Sequence, residues 1–197
     1  MMLKAELRKI YLARRRALSG AERRRLSEKI AALFFEKFDL AQISYLHCFL
    51  PIEKFKEIDT RLIFERVRTD FPSVQTLAPR VDFETGEMES LKLTPATGLA
   101  QNRWGIDEPA AGDELIEIEK IDLVVVPLLC FDARGFRVGY GKGFYDRFLA
   151  RCRKDCLKIG LSYHSQPADE IEDANERDVR LDFCVTPNDV RRFQNFV

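Results

Sequence analysis

Hydrophobic positions change period along this chain. Leu3, Leu7, Ile10 and Tyr11 recur at helical spacing, and Leu26, Ile30, Leu33 and Phe34 resume it after Ser19-Gly20-Ala21-Glu22, which has the form of a capping box. Two amphipathic helices are therefore predicted within residues 1–40. Beyond them, residues 43–50 and 74–78 read as strands, with a helical segment over 60–68 between them. Leu123-Val124-Val125-Val126 is apolar on both faces, as expected of a central parallel strand covered on each side. Residues 144–153 return to helical spacing through Tyr145, Phe148, Leu149 and Cys152, and 157–163 and 183–186 read as further strands. The alternation predicts an α/β fold: a single-domain three-layer α/β/α sandwich over residues 1–197, with a mainly parallel central sheet and the helices of 1–40 packed on it. Residues 82–113 carry Gly86, Pro95, Gly98, Gly105, Pro109 and Gly112, and read as an irregular excursion with a hairpin, suited to a substrate-facing flap.

Composition narrows the function classes. A chain of 197 residues, 46% apolar and with fifteen Phe, has the material for one ordinary core and is unlike a disordered chain. Its 32 basic and 32 acidic side chains cancel, so no general attraction to nucleic acid or membrane follows. The charge is segregated, however. Residues 1–40 carry eleven basic against five acidic side chains, whereas 165–189 carry eight acidic against two basic, and the two segments are expected to attract each other. Cys48, Cys130, Cys152, Cys156 and Cys184 are odd in number and lack a framework spacing, which points to reduced thiols. Cys152 and Cys156 stand at helical spacing without a nearby His and read as packing residues, not zinc ligands. No signal-peptide core or membrane-length apolar run is present. A cytoplasmic, monomeric protein without nucleic-acid or membrane partners is expected. His47 and His164 have no evident partner and receive no role.

The chemistry concentrates in residues 127–147, PLLCFDARGFRVGYGKGFYDR, between the buried strand and the next helix. Outside the carboxyl end of such a strand, main-chain amides and a helix N-terminus converge on ligands. Gly135, Gly139, Gly141 and Gly143 let the backbone approach closely, and Arg137 and Lys142 add a planar fork and a point charge that can neutralise phosphate oxygens. The loop is neither of the familiar nucleotide motifs. Gly135 and Gly141 enclose five residues and Lys142 is followed by Gly143, so there is no Walker A hydroxyl, and position 144 is Phe where a dinucleotide fingerprint needs glycine. Asp146, in the first turn of the following helix, can either cap the helix dipole or bind a divalent cation, with 175–178 as the supply of a second oxygen ligand.

These residues also carry a family likeness. Lys4-Ala5-Glu6-Leu7-Arg8, Glu57-Ile58-Asp59-Thr60, Pro79-Arg80, Trp104-Gly105-Ile106 with Pro109, and above all Gly135-x-Arg137-x-Gly139-x-Gly141-Lys142-Gly143-x-Tyr145-Asp146 resemble the 5-formyltetrahydrofolate cyclo-ligase family, also called methenyltetrahydrofolate synthetases, over nearly the whole chain. The resemblance implies ATP- and Mg2+-dependent cyclisation of 5-formyltetrahydrofolate to 5,10-methenyltetrahydrofolate, with release of ADP and phosphate, through a phosphorylated formyl group. It implies that Lys4 and Arg8 reach ATP from the first helix, that Arg137, Val138, Gly139, Tyr140, Gly141, Lys142, Gly143, Phe144 and Tyr145 wrap its phosphates, and that Arg137 and Lys142 act in catalysis. By the same resemblance the folate lies among Leu50, Glu57, Trp104, Tyr140, Gly141, Lys142, Gly143 and Phe144, and Asp146 with Asp178 holds Mg2+, Asp173 and Glu176 being neighbouring alternatives to Asp178.

Overall fold

The computed structural model describes residues 1–102, 105–110 and 114–193. Its centre is the most apolar strand of the sequence. In β7 (Leu123–Pro127), Leu123 and Val125 enter one buried cluster while Val124 and Val126 enter another on the opposite face. A strand can bury both faces only inside a sheet covered on both sides, and each such side chain contributes about 1.5–3 kcal/mol of burial. β7 accordingly lies between β1 (Tyr45–Cys48) and β10 (Leu157–Leu161), parallel to both. β2 (Gln75–Val81) and β11 (Phe183–Val185) extend the parallel core. β12 (Val190–Arg192) on one edge, and β3 (Met88–Lys92) then β6 (Leu115–Ile116) on the other, run antiparallel to their neighbours. The order among the described residues is β12-β11-β10-β7-β1-β2-β3-β6.

Helices cover both faces. α2 (Gly20–Lys37) and α3 (Arg61–Asp70) place Ile30, Phe34, Ile63 and Val67 over Leu46 and Val125, whereas α4 (Phe144–Arg151) places Phe148 and Leu149 over Leu77 and Val124. The layered, mainly parallel fold expected from the sequence is thus observed. The predicted capping box also forms: Glu22 N donates to Ser19 Oγ at 3.2 Å, and Ser19 N to Glu22 Oε2 at 2.9 Å.

α1 (Lys4–Ala17) is placed differently from α2. Its Leu7 and Tyr11 pack on Leu129, Cys130, Val138 and Ile171, against a short hairpin, β8 (Cys130–Phe131) with β9 (Arg137–Val138), that follows β7. The apolar stripe of α1 is narrow, and it fits this hairpin instead of a broad sheet face. The segregated charges meet here, with Lys4 Nζ 2.7 Å from Asp178 Oδ1 and Lys4 N donating to Asp173 Oδ1 at 2.8 Å. In the 82–113 excursion, β4 (Leu99–Gln101) and β5 (Asp107–Pro109) form the expected hairpin, but β3 joins the main sheet. A turn closed by Asp82 N to Glu87 O at 2.9 Å returns β3 onto β2, burying Met88 and Leu91. No helix among the described residues is long and apolar enough to cross a membrane.

His47 is buried within β1, with Nδ1 2.8 Å from Ser90 Oγ and its ring 4.7 Å from that of Phe148. Burial pushes its imidazole down to about 3. An unfolded histidine titrates near 6.5, so below that pH the unfolded chain takes a proton that the folded chain refuses. The contribution of neutral His47 is complete above about pH 6.5 and declines on acidification by about 1.4 kcal/mol per pH unit. The urea-midpoint gap between wild type and His47→Gln should therefore narrow from pH 7 to pH 5; a constant gap would contradict this origin.

Candidate functional site

The carboxyl ends of β1, β2 and β7 open into a cavity of about 610 Å3. This is where a parallel sheet offers its loops to ligands. Phe49, Leu50, Ile52 and Phe55 line one side, while Val81, Phe83, Met88 and Phe144 contribute further apolar lining. Phe55 tilts on Tyr140 at 5.0 Å, and Phe83 meets Phe144 edge-on at 5.6 Å. Large flat apolar surfaces suit a planar heterocycle.

The glycine loop forms the polar side. Gly141 and Gly143 adopt φ of +86° and +70°, a left-handed backbone that L side chains rarely hold, and Gly143 leads directly into α4. The consequence is electrostatic. None of the main-chain amides from Tyr140 to Asp146 donates a hydrogen bond within the described residues, so these donors remain available where the helix begins. Arg8 lies across the loop: its Nε donates to Gly139 O at 2.9 Å, and a Cβ on Gly141 would stand 2.9 Å from Arg8 Nη2. Arg147 ties the loop to the β2–β3 turn, donating to Lys142 O at 3.2 Å and to Gly86 O at 2.9 Å. Lys142 itself is exposed at the cavity rim.

Arg137 is buried in the cavity wall, with Nη2 2.7 Å from Asp146 Oδ1 and Nη1 donating to Val179 O. Burial lowers its pKa, and the carboxylates of Asp146 and Asp178 oppose that shift. An arginine remains a cation under such influences. Asp146 Oδ1 also accepts from Val179 N at 3.1 Å, and Asp178 Oδ2 accepts from Asn175 N at 2.7 Å while Lys4 holds the same carboxylate. Taken in the order Asp146, Arg137, Asp178, Lys4, the charges of this row alternate.

Glu57 is the buried carboxylate of the cavity. It is presented by a tight turn in which Lys56 adopts φ of +50°, so that Glu57 Oε2 accepts from Ile52 N at 2.9 Å. Tyr140 Oη donates to Glu57 Oε1 at 2.7 Å. Burial pushes the Glu57 carboxyl up, against the lowering effects of the Ile52 amide, Tyr140, Arg15 and Arg23.

The structure therefore gathers Arg8, Leu50, Glu57, Arg137, Gly139 and the run from Tyr140 to Tyr145 around one cavity. Lys4, Asp146 and Asp178 form the ion-pair row beside Arg137. Val138 is directed away: its side chain is buried with Leu7 and Tyr11, leaving only its main chain for a ligand. Trp104 lies outside the described residues. Sequence reasoning missed Phe55 and Phe83, which carry no motif, and Arg15. Arg15 is buried, and its Nη1 lies 3.0 Å from Tyr140 Oη. Leu7, Tyr11 and Arg15 succeed one another at four-residue intervals, a signal that would have separated Arg15 from its exposed neighbours Arg14 and Arg16.

Comparison with known proteins bears on the family and the fold. The profile of the 5-formyltetrahydrofolate cyclo-ligase family matches residues 1–187. The mouse 5-formyltetrahydrofolate cyclo-ligase is 28% identical over 190 residues, covering 91% of this chain and 89% of the relative. The Escherichia coli K12 cyclo-ligase is 27% identical over 179 residues, covering 90% and 96%. Among solved structures, the Aquifex aeolicus 5,10-methenyltetrahydrofolate synthetase superposes with a TM-score of 0.82 at 33% identity, covering 98% of this chain and 94% of that one. The Mycoplasma pneumoniae 5,10-methenyltetrahydrofolate synthetase superposes with a TM-score of 0.76 at 26% identity, covering 94% and 99%. With a family match over nearly the whole chain and a shared fold, this chain belongs to the 5-formyltetrahydrofolate cyclo-ligase family.

Proposed function

We propose that this chain uses ATP and Mg2+ to convert 5-formyltetrahydrofolate to 5,10-methenyltetrahydrofolate, releasing ADP and phosphate. A formamide carbon is a weak electrophile and its oxygen a poor leaving group. The formyl oxygen therefore attacks the terminal phosphorus of ATP, forming an O–P bond as the bond to ADP breaks. N10 of the folate then attacks the iminium-like carbon, loses its proton, and the C–O bond breaks to release phosphate. No protein nucleophile is needed. Phosphoryl transfer depends on positioning and charge neutralisation.

The observation that carries this reading is the run of undonated amides from Tyr140 to Asp146, with Arg8 and Arg137 on the same cavity. In the proposed complex these amides and Arg137 hold the terminal phosphates, and Lys142 brings a mobile cation from the rim. Arg8 reaches the nucleotide from α1, with Lys4 at the head of that helix. Leu50, Phe55 and Phe83 enclose the pterin, and Glu57 accepts hydrogen bonds from its N–H groups.

The donor set also fits a cation that arrives with the nucleotide. Mg2+ typically takes one or two carboxylates and completes its shell with water and phosphate oxygens. Asp146, paired with Arg137, and Asp178, paired with Lys4, are the two carboxylates that would hold such a cation, each by sharing its present partner. When bound, it would supply charge neutralisation on the phosphates.

Purified chain given 5-formyltetrahydrofolate, ATP and Mg2+ should accumulate the absorbance of the methenyl product, and omission of ATP should abolish it. Absence of product, or product that forms without ATP, would overturn the assignment.

A further inference from the structure

Arg15 is a buried cation behind the cavity wall, one layer removed from any ligand. Its Nη1 donates to Tyr140 Oη at 3.0 Å and lies 3.9 Å from Glu57 Oε1, while its Nη2 donates to Leu128 O at the exit of β7. Tyr140 therefore bridges the two charges, accepting from Arg15 and donating to Glu57 at 2.7 Å. A fixed guanidinium held by three groups is an unusual expense for a helix that already packs through Leu7 and Tyr11.

We infer that Arg15 is a positioning residue for the reaction proposed above: acting through Tyr140, it keeps the Glu57 carboxylate ionised and oriented to accept hydrogen bonds from the N–H groups of the folate's pterin ring. The inference rests on that proposed activity. A buried carboxylate reverts to its neutral form unless charge or hydrogen bonds stabilise the anion, and a neutral carboxyl loses acceptor capacity. Each Glu57 oxygen has two acceptor positions, and the contacts with Tyr140 and Ile52 leave room on both for a ligand donor.

The other groups around Glu57 cannot replace Arg15. Arg23, from α2, donates to the Glu57 main-chain oxygen at 2.8 Å, and its guanidinium is also paired with Glu53. Tyr163, beyond β10, donates to the same main-chain oxygen at 3.0 Å. Tyr145, on α4, is a neutral phenol whose own ionisation is opposed by burial and by the Glu57 charge. Arg15 alone among these places a cation on the carboxylate side of the residue.

The test measures calorimetric binding of 5-formyltetrahydrofolate between pH 6 and 8.5 by wild type, Arg15→Met and Arg15→Lys. Loss of the cation moves Glu57 protonation to higher pH. Arg15→Met should bind about tenfold more weakly than wild type near pH 6.5 and approach it at pH 8.5, while Arg15→Lys, which keeps the charge, should follow the wild-type profile within about threefold. An Arg15→Met profile that superimposes on wild type, or one displaced equally at every pH as a purely structural defect requires, would overturn the inference. A thermal cycle guards against poor folding. Arg15→Met should lower Tm because it strands a buried carboxylate, and the double variant R15M/E57Q should regain most of that loss. A double variant no more stable than R15M would also overturn it. If wild type ignores 5-formyltetrahydrofolate at every pH, the proposed substrate is wrong, and the thermal cycle still decides whether Arg15 and Glu57 are coupled.

Discussion

Arg137→Met is expected to lower kcat/KM for ATP-dependent cyclisation by about 10^3-fold or more, the scale on which a single arginine aimed at a transferring phosphoryl group acts. The residue lines the same cavity as Lys142 but combines two properties that Lys142, exposed at the rim, does not share. It is buried, and its fork is fixed at both ends by Asp146 and Val179. A cation placed before the reaction need not reorganise during it. Removal also leaves Asp146 without its partner, so part of the defect will be structural. Arg137→Lys separates the two contributions: it retains the charge beside Asp146 but not the planar fork, and should recover stability more completely than rate. Single-turnover phosphate release together with Tm reads both. An R137M enzyme within tenfold of wild type would remove Arg137 from the chemistry.

Gly135→Ala should cost about 3 kcal/mol of folding stability, or roughly 6–12 °C in Tm for a chain of this size. Two penalties add at this position. Gly135 holds φ of +87°, and an added Cβ would sit 2.8 Å from Phe193 Cγ and 3.1 Å from the main-chain oxygen of Leu181, whose amide donates to Gly135 O. A backbone atom cannot move aside cheaply. Gly141→Ala meets the same backbone preference, but its nearest neighbour is the terminus of the Arg8 side chain, which can swing away. That variant should lose about 1 kcal/mol while displacing Arg8 from the loop. Thermal unfolding of the two variants side by side provides the comparison, and a G135A Tm within 2 °C of wild type would refute the packing argument.

These two glycines show how far a motif reads. All four glycines of the loop look alike in sequence, and each suggests a close main-chain approach to a ligand. In the fold, Gly141 and Gly143 hold a left-handed backbone at the cavity, Gly135 lets the hairpin turn against Phe193, and Gly139 has an ordinary negative φ with open space around its Cα. Spacing identifies where the chain must be permissive. It does not say whether a ligand or another side chain occupies the space gained.

The expected pairing of the basic N-terminal and acidic C-terminal segments is similarly half legible. Complementary charge made the attraction foreseeable, and Lys4 does meet Asp178 and Asp173. The resemblance assigned Lys4 to nucleotide and Asp178 to metal as separate partners, yet the fold joins them to each other, so both roles require that ion pair to rearrange or to share its ligand. The flap hairpin was visible in its glycines and prolines, while β3 was absorbed into the sheet by a pairing with β2 that local composition does not encode.

By itself, the sequence determined the alternation of helices and strands, the central apolar strand, the loop that carries the cations and the family to which they point. Those features are local: periodicity, turn-forming residues and motif spacing act over a few positions. Only the tertiary structure decided that one arginine of the triplet Arg14-Arg15-Arg16 turns inward behind Tyr140 and Glu57, and that phenylalanines from separate loops close around the same cavity. Such contacts join residues far apart in sequence, 125 positions for Arg15 and Tyr140 and 83 for Tyr140 and Glu57, and chain packing, not the character of any single residue, chooses which like side chain is buried and which remains in water.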